Sequence, residues 1–145
     1  MIDEQVLRDE IVGREFPEGR FTIQPYEAWL TADAVLSPPL RDGVVHPMYV
    51  YYAALGGMGI DLDTLFAWAH SSAADGPMFG EARIEQRRPF RAGETLVVTG
   101  GITGLIRKSG RSGTFDIVEF RLDLTDTDGE LVGVSTNSFI YPRRD

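Results

Sequence analysis

The stretch over residues 44–59 constrains the fold more than any other part of this chain. It reads Val-Val-His-Pro-Met-Tyr-Val-Tyr-Tyr-Ala-Ala-Leu-Gly-Gly-Met-Gly and carries no charged side chain. Pro47 suits the first turn of a helix, and the glycines that follow Leu55 predict its end. A helix that is apolar all round must be buried, and about a dozen residues cannot span a bilayer, which needs about 20. We therefore expect a helix enclosed by the rest of a soluble protein.

The second half of the chain predicts an antiparallel sheet that could enclose this helix. Residues 80–90, 95–107, 114–125 and 130–141 are the predicted strands, and most of them alternate apolar with polar residues, the period of strands with one buried face. The expected buried residues are Leu96, Val98, Ile102 and Ile106 in one strand and Val118, Phe120, Leu122 and Leu124 in the next. The pair Asp128-Gly129 favours a tight turn before the last strand.

The first half predicts shorter elements around the apolar helix. Residue spacing predicts a helix over residues 1–10, a strand over 21–26 and a further helix over 62–70. A helix is also predicted over residues 26–36, with Trp29 and Leu30 facing inward. Helices first and strands afterwards indicate the α+β class.

Composition narrows the classes of function. The 145 residues suit one domain over residues 1–145, and a net charge of −8 argues against a nucleic-acid-binding protein. Two histidines and no cysteine leave little for a metal site, so we expect no metal. With no cysteine and no recognisable signal peptide, we expect a cytoplasmic protein that does not enter a membrane.

Three sequence segments carry a resemblance to a known family. They are Val-Val-His-Pro-Met at 44–48, Arg-Pro-Phe-Arg-Ala-Gly-Glu at 88–94 and Asp-Thr-Asp-Gly-Glu-Leu at 126–131. With the order of elements, they make the chain resemble the MaoC-like (R)-specific enoyl-thioester hydratases and dehydratases. Within that family the chain is most similar to the branch of type I fatty acid synthase dehydratase domains, over residues 11–142. The resemblance implies the hotdog fold, in which a curved antiparallel sheet wraps a long central helix.

The resemblance also implies an activity and a partner. In this family, water adds to or leaves an acyl chain carried as a thioester on coenzyme A or acyl carrier protein, without a cofactor. A neutral histidine and a carboxylate flank the water, and a helix N-terminus polarises the thioester carbonyl. Hotdog subunits pair edge to edge around the acyl tunnel. We therefore expect an acyl-thioester ligand and either a homodimer or a heterodimer with a catalytic MaoC-like subunit.

The chain departs from the family's hydratase motif, which is an Asp, then Asn-Pro, then a His ahead of the helix. Its nearest approach is Asp42 and His46, with different spacing and different residues between them. Pro47 stands where the family has glycine and has no N–H, so free helix donors should begin at Met48 or Tyr49. We therefore expect little hydratase activity from this chain alone, and a role as the non-catalytic half of a pair.

Three residues are the catalytic candidates that the resemblance suggests. His46 could act as a base held neutral by the helix dipole, or it could only cap the helix. Asp42 is the acid nearest to it, and Glu81 is a carboxylate at the start of a long strand near the expected tunnel. Tyr49 and Tyr52 are candidate substrate-binding residues, with core packing as the alternative.

Four basic residues complete the substrate-binding candidates. Arg107, Lys108 and Arg111 lie on a predicted glycine-rich hairpin loop and could clamp coenzyme A phosphates or an acidic carrier protein. The alternative is a solvated turn. Arg88 could line the entrance for the pantetheine arm, or it could pair with the nearby Glu94.

Two other functions fit the same fold. A hotdog acyl-CoA thioesterase would need a carboxylate near the central helix, and the nearest are Asp42 and Asp61. A non-enzymatic acyl-ligand-binding protein would need none. In every case the expected pocket residues are Leu55, Met58, Leu62, Leu65 and Phe66.

Overall fold

The computed structural model describes residues 1–38 and 40–143, and each predicted helix and strand has a counterpart in it. The strand predicted over 21–26 lies earlier, at Gly19–Thr22, because a helix already begins at Pro25. In chain order the elements are α1 (Glu4–Ile11), β1 (Gly19–Thr22), α2 (Pro25–Ala34), α3 (Tyr49–Gly56), α4 (Leu62–Trp68), a 3-10 turn (Ala73–Asp75), β2 (Met78–Gln86), β3 (Thr95–Gly110), β4 (Gly113–Thr125) and β5 (Leu131–Arg143). The described part of the chain is therefore α+β, with its longest strands in the second half.

The strands form one five-stranded sheet in the order β1-β3-β4-β5-β2. All neighbouring strands are antiparallel, as the alternating pattern predicts. The β3–β4 ladder runs to the pair Gly110 and Gly113, so the predicted loop over 108–113 shrinks to a two-residue turn. The outermost strands of the sheet are β1 and β2.

Helix α3 lies across one face of the sheet and contacts all five strands. It begins after Pro47, at Tyr49, and its buried residues are Tyr49, Val50, Ala53 and Ala54. Tyr52, in contrast, is 38% exposed. The prediction of a helix enclosed on every side is therefore wrong for one flank, because the sheet of a single chain covers only the other.

The β1 edge of the sheet is closed by the chain itself. Beyond β1, the Phe16 N–H donates to the Gly100 carbonyl (2.8 Å) and the Ile102 N–H donates to the Arg14 carbonyl (3.0 Å). At this edge a Cβ on Gly19 would overlap the carbonyl oxygen of Gly57, just after α3. Only glycine allows the backbones of β1 and the end of α3 to approach so closely.

The β2 edge is open. All nine residues of β2 are exposed to solvent. They include large apolar side chains, with Met78 55%, Phe79 41% and Ile84 37% exposed. Natural proteins usually protect such an edge, because its free backbone groups can pair with another strand.

A bulge changes the face of one predicted core residue. The sequence predicts Ile106 on the buried face of β3, but this side chain is 56% exposed. The pairing of β3 with β4 shifts between Ile102 and Gly104, and this shift places Leu105 in the core instead. Strict alternation fails here because a bulge adds one residue to a strand.

The orientation of α2 also differs from the prediction. Trp29 and Leu30 are 67% and 51% exposed rather than buried, and only Ala28 of this helix is buried. Apolar residues occur on all sides of α2, so the pattern does not identify the side that packs. The small Ala28 lies against the protein, while the large side chains face outward.

Candidate functional site

An apolar cavity lies between α3 and the beginning of β2. Its volume is about 680 Å³, a size typical of small-molecule sites. It is lined by Tyr51, Leu55, Gly56, Met58, Gly59, Ile60, Asp61, Leu62, Phe79 and Phe139. We call it the α3 cavity. Of the predicted pocket residues, Leu55, Met58 and Leu62 line it, whereas Leu65 and Phe66 are buried in the core.

Aromatic rings form one wall of the α3 cavity. Phe79 lies opposite Phe139 in the β2–β5 ladder, with ring centroids 5.4 Å apart, and Tyr51 meets Phe79 at 5.9 Å. Both contacts are edge-to-face, the arrangement that aromatic pairs favour. Phe79 and Leu62 remain 41% and 45% exposed. The cavity is therefore an apolar surface that opens at the β2 side.

The two tyrosines proposed to bind substrate do not line this cavity. Tyr49 is buried, and its hydroxyl lies 3.3 Å from the Thr31 hydroxyl of α2. The Tyr52 ring touches those of Tyr49 and Tyr51, each at 5.7 Å, on the exposed flank of α3. Tyr51 is the tyrosine in the lining, which helical spacing alone does not reveal. A substrate contact for Tyr49 or Tyr52 stays a prediction.

His46 caps the turn that leads into α3. Its Nδ1 accepts a hydrogen bond from the Met48 N–H at 3.1 Å, which matches the capping alternative for this residue. A neutral ring in this state carries its proton on Nε2, so neither ring nitrogen is free to accept a proton while the bond holds. A role for His46 as a base stays a prediction and would require this bond to break.

The first amides of the helix are also engaged. The Tyr49 N–H donates to the His46 carbonyl (2.9 Å), and the Val50 N–H donates to the Pro47 carbonyl (3.1 Å). The prediction that free donors begin at Met48 or Tyr49 is therefore wrong. Because Pro47 and the residues beside it form a tight turn, these amides satisfy acceptors within it. An oxyanion would have to displace one of those acceptors.

In the described residues, neither Asp42 nor Glu81 is hydrogen-bonded to His46. Asp42 is an exposed loop residue with a φ of +56°, and its carbonyl accepts a hydrogen bond from Arg91. Glu81 pairs with Ser138, on the face of the sheet opposite to the one where Phe139 and α3 lie. Within residues 1–38 and 40–143, no hydrogen bond or ion pair joins Asp42, His46 and Glu81. The structure does not assemble them into a catalytic group.

Arg88 connects two turns of the sheet. Its guanidinium pairs with Glu94 and lies 3.5 Å from the Asp126 carboxylate. Asp126 in turn accepts hydrogen bonds from the Asp128 and Glu130 amides, each at 3.0 Å. The hydrogen bond from the Glu130 amide is the main reason that the pKa of Asp126 lies below its usual value. Arg88 thus has a structural role, which matches the predicted alternative that it pairs with Glu94. Binding of the pantetheine arm by Arg88 stays a prediction.

Arg107 is part of a buried ion cluster rather than a flexible loop. Its Nε and Nη2 donate to the two carboxylate oxygens of Asp116 at 2.7 and 2.9 Å, and Arg143 Nε donates to the same carboxylate at 2.7 Å. Asp116 is fully buried. The shared clamp predicted for Arg107, Lys108 and Arg111 is therefore not assembled. Lys108 and Arg111 are exposed near the hairpin turn, where a phosphate contact stays a prediction.

A family comparison agrees with this geometry. The family model described as FAS1-like, dehydratase domain region, matches residues 47–134, which is more than half of the chain and includes α3 and most of the sheet. The chain belongs to the FAS1-like dehydratase-region family. A comparison with curated proteins found no sequence match.

Solved structures with the same fold include members of the MaoC-like group. One is the HadBC (3R-hydroxyacyl-ACP dehydratase) complex of Mycobacterium tuberculosis, at 20% identity and a TM-score of 0.68, covering 90% of this chain and 96% of that one. Another is an R-hydratase of Pseudomonas aeruginosa, at 14% identity and a TM-score of 0.56, covering 92% and 83%. A MaoC-like dehydratase of Rhodospirillum rubrum has 19% identity and a TM-score of 0.51, covering 96% and 97%. These matches confirm the predicted hotdog fold of this FAS1-like dehydratase-region protein.

One acidic group does reach the α3 cavity of this dehydratase-family chain. Asp61 belongs to the lining and caps α4, because its carboxylate accepts the Thr64 N–H at 2.7 Å. Hydrogen bonding from Thr64 lowers the pKa of Asp61, so the carboxylate is ionised at neutral pH. The sequence identifies Asp61 only as an acid near the central helix.

In the described ranges, no group of three or more His, Cys, Asp or Glu residues could hold a metal ion. No helix within those ranges has the length and hydrophobicity needed to cross a membrane.

Proposed function

We propose that this chain binds the acyl part of a thioester in the α3 cavity, as one subunit of a hydratase or dehydratase made of two hotdog domains. The observation that carries the proposal is an apolar cavity of about 680 Å³ on the exposed flank of α3, in a chain of a dehydratase family. The acyl group would be carried on coenzyme A or acyl carrier protein, and no cofactor would be needed. Contact with the lining would release water from both surfaces, which favours binding.

The proposed partner is a second hotdog subunit that binds at β2. The nine exposed residues of this edge support the proposal, because the unpaired backbone groups of an exposed edge strand can pair with another strand. Among the structural neighbours, the HadBC dehydratase is described as a complex. The partner would supply the catalytic Asp and His, since this chain lacks that motif and the first amides of α3 are engaged. It would be a different, MaoC-like subunit.

The binding proposal is tested with acyl-CoA ligands of increasing length. Titration of the chain with crotonyl-, octanoyl- and dodecanoyl-CoA should give the tightest binding to the longer chains. Leu55→Trp, which fills the α3 cavity, should weaken dodecanoyl-CoA binding about tenfold or more. The matched control is Ile106→Trp, an exposed position outside the lining, which should leave the affinity unchanged. Equal binding by both variants would reject the cavity as the acyl site.

The subunit proposal is tested by hydration of crotonyl-CoA. The chain alone should turn over little substrate, and the chain co-purified with its native partner should restore activity. Robust hydration by the isolated chain would contradict the assignment to a non-catalytic half.

A thioesterase is the second candidate, because the Asp61 carboxylate lies in the wall of the α3 cavity. In that case the isolated chain should release free coenzyme A from acyl-CoA. Asp61→Asn should abolish the release while keeping a polar cap on α4. Acyl-CoA binding without hydration or hydrolysis, with or without the partner, would favour a ligand-binding protein instead.

A further inference from the structure

The face of the sheet opposite to α3 carries a row of large apolar side chains. Directly paired residues of β2, β5, β4 and β3 form this row, which we call the outer row: Met78, Ile140, Ile117 and Ile106. Ile140 lies between Phe139 and Tyr141, both buried on the α3 side, and so faces the opposite way. The two ends of the outer row, Met78 and Ile106, are 55% and 56% exposed. Four strands about 4.8 Å apart make the row about 14 Å long.

The outer row breaks the pattern of this face. The next outward positions along β4 are all charged or polar, namely Glu119, Arg121, Asp123 and Thr125. A polar residue is expected at Ile117 as well, because a face open to water needs no large apolar side chains. The bulge between Ile102 and Gly104 adds Ile106 to the row, since it turns this residue outward. A contiguous apolar patch on a protein surface indicates an interaction site.

Opposite charges lie on the two sides of the outer row. Toward the β3–β4 turn, Lys108 occupies the next outward position of β3, and Arg111 lies at the turn itself. Both are exposed, and within residues 1–38 and 40–143 neither takes part in an ion pair. On the other side, the next positions hold Glu119 of β4 and Glu81 of β2, which share a row with Ser138. The outer row therefore separates a basic border from an acidic border.

Two further residues enlarge the apolar area. Phe115 and Pro142 lie side by side in the same row as Lys108, and both are partly exposed. The apolar area thus covers positions in two adjacent rows and has charged residues on its borders. An interface with an apolar centre and a polar rim has this anatomy.

We propose that a second copy of this chain packs on the outer row, sheet against sheet, about a two-fold axis that runs along the row. Each of the four apolar side chains then meets its own copy, and the contact removes both rows from water. The inference goes beyond the proposed function, because it uses the face opposite to α3. It leaves β2 and the α3 cavity free for a catalytic subunit and an acyl ligand.

The charges beside the outer row favour this axis. An axis along the row reverses the strand direction, so the basic border of one copy lies over the acidic border of the other. Lys108 on β3 then comes close to Glu119 on the neighbouring strand of the second copy, twice in the pair. An axis parallel to the strands would also stack the two rows, but it would place one acidic border over the other. Attraction between opposite charges across the interface therefore selects the first arrangement.

A charge exchange tests the axis. Lys108→Glu and Glu119→Lys each bring like charges together in a pair of identical copies. The self-association Kd of each variant should rise about tenfold or more. An equimolar mixture should recover wild-type pairing, because both charge contacts of the mixed pair are attractive. Sedimentation velocity measures the mass, which is 16.1 kDa for one chain and twice that for the pair, and recovery in the mixture excludes misfolding as the cause.

The matched control makes the same change of charge elsewhere on the same face. Glu85→Lys lies on β2, two rows beyond Glu81, and should keep the wild-type Kd. Association of Lys108→Glu and Glu119→Lys as tight as that of the wild type would overturn the proposal. A mixture of the two that stays monomeric would overturn it as well.

A substitution within the outer row separates this contact from pairing at the open edge. Ile106→Lys should raise the self-association Kd about tenfold or more, and Ile84→Lys, at a position of β2 that is 37% exposed, should not. The reverse result would place self-association at β2 and reject the outer row. A wild-type chain that stays at 16.1 kDa at its highest soluble concentration would reject the pair altogether. These measurements use neither an acyl ligand nor a catalytic subunit, so their failure leaves the proposed function untouched.

Discussion

The two edges of the sheet are built in opposite ways. At the β1 edge, residues 13–16 continue along β3 with backbone hydrogen bonds, and Gly19 meets the end of α3. At the β2 edge, nine residues are exposed and no segment of the described chain covers them. A single sheet thus has one edge completed by its own chain and one left exposed. The closed edge should carry stability, and the open edge should carry binding.

The largest expected effect concerns the buried ion cluster on β3, β4 and β5, which also holds the N-terminal segment. Asp116→Asn removes the charge that Arg107 and Arg143 share, and Arg107 also holds the Ile2 carbonyl at 2.8 Å. Because two buried guanidinium groups lose their counter-charge, the free energy of unfolding should fall by about 3–5 kcal/mol. Urea denaturation measures the change. The control, Asp123→Asn, breaks an exposed ion pair with Arg121 and should cost less than about 1 kcal/mol.

The same cluster predicts a pH dependence. Burial works to raise the pKa of Asp116, but hydrogen bonds from Arg107 and Arg143 outweigh it and hold the pKa below its usual value. The stabilisation is therefore complete above the unfolded-state pKa of about 3.9, and it is lost as the pH falls through the lower folded-state pKa. Wild-type stability should decline more steeply in acid than that of Asp116→Asn. Parallel curves for the two proteins would contradict this assignment.

A smaller effect is expected from a glycine at the closed edge. In Gly19→Ala the new Cβ would overlap the carbonyl oxygen of Gly57, so the strand or the end of α3 must move. We expect a loss of about 1–3 kcal/mol in the free energy of unfolding. Gly110→Ala is the control, because nothing lies within 4 Å of its Cβ position. Equal losses for both variants would show that backbone entropy, not close packing, dominates at this edge.

The smallest expected differences come from one phenylalanine on each edge. Phe21 of β1 packs against Gly56 and Gly57, whereas Phe79 of β2 is 41% exposed. At low protein concentration, Phe21→Ala should cost about 2 kcal/mol and Phe79→Ala less than about 1 kcal/mol. Urea denaturation of the isolated chain measures both losses, and equal losses for the two variants would argue against the difference between the edges.

The outcome for individual residues shows where sequence reasoning succeeds. Val118, Phe120, Leu122 and Leu124 are buried as predicted, because regular alternation in a long strand determines its buried face. Ile106 fails because a bulge precedes it, and Trp29 fails because α2 is apolar on all sides. The pattern of α2 does not favour any side, whereas the pattern of β3 does, and the bulge between Ile102 and Gly104 then reverses it.

The site was less predictable than the fold. The apolar segment over 44–59 predicts a helix with a pocket beside it, and Leu55, Met58 and Leu62 do line the α3 cavity. Tyr51 is the tyrosine that reaches that cavity, because the rotation of α3 about its axis decides which side chain faces β2. Arg107 looks like a loop cation in the sequence, but Asp116 on the neighbouring strand binds it. The β3–β4 register brings Arg107 opposite Asp116, and the sequence pattern does not show that register.

The sequence by itself determined the α+β order, the central apolar helix, the antiparallel sheet and the family resemblance. These follow from periodicity, turn residues and local motifs, which act over a few residues. Only the tertiary structure decided which edge of the sheet is free, which flank of α3 stays exposed and which charged groups neutralise each other. Those features depend on distances between segments that are far apart in the chain, and on how much surface a single sheet can cover.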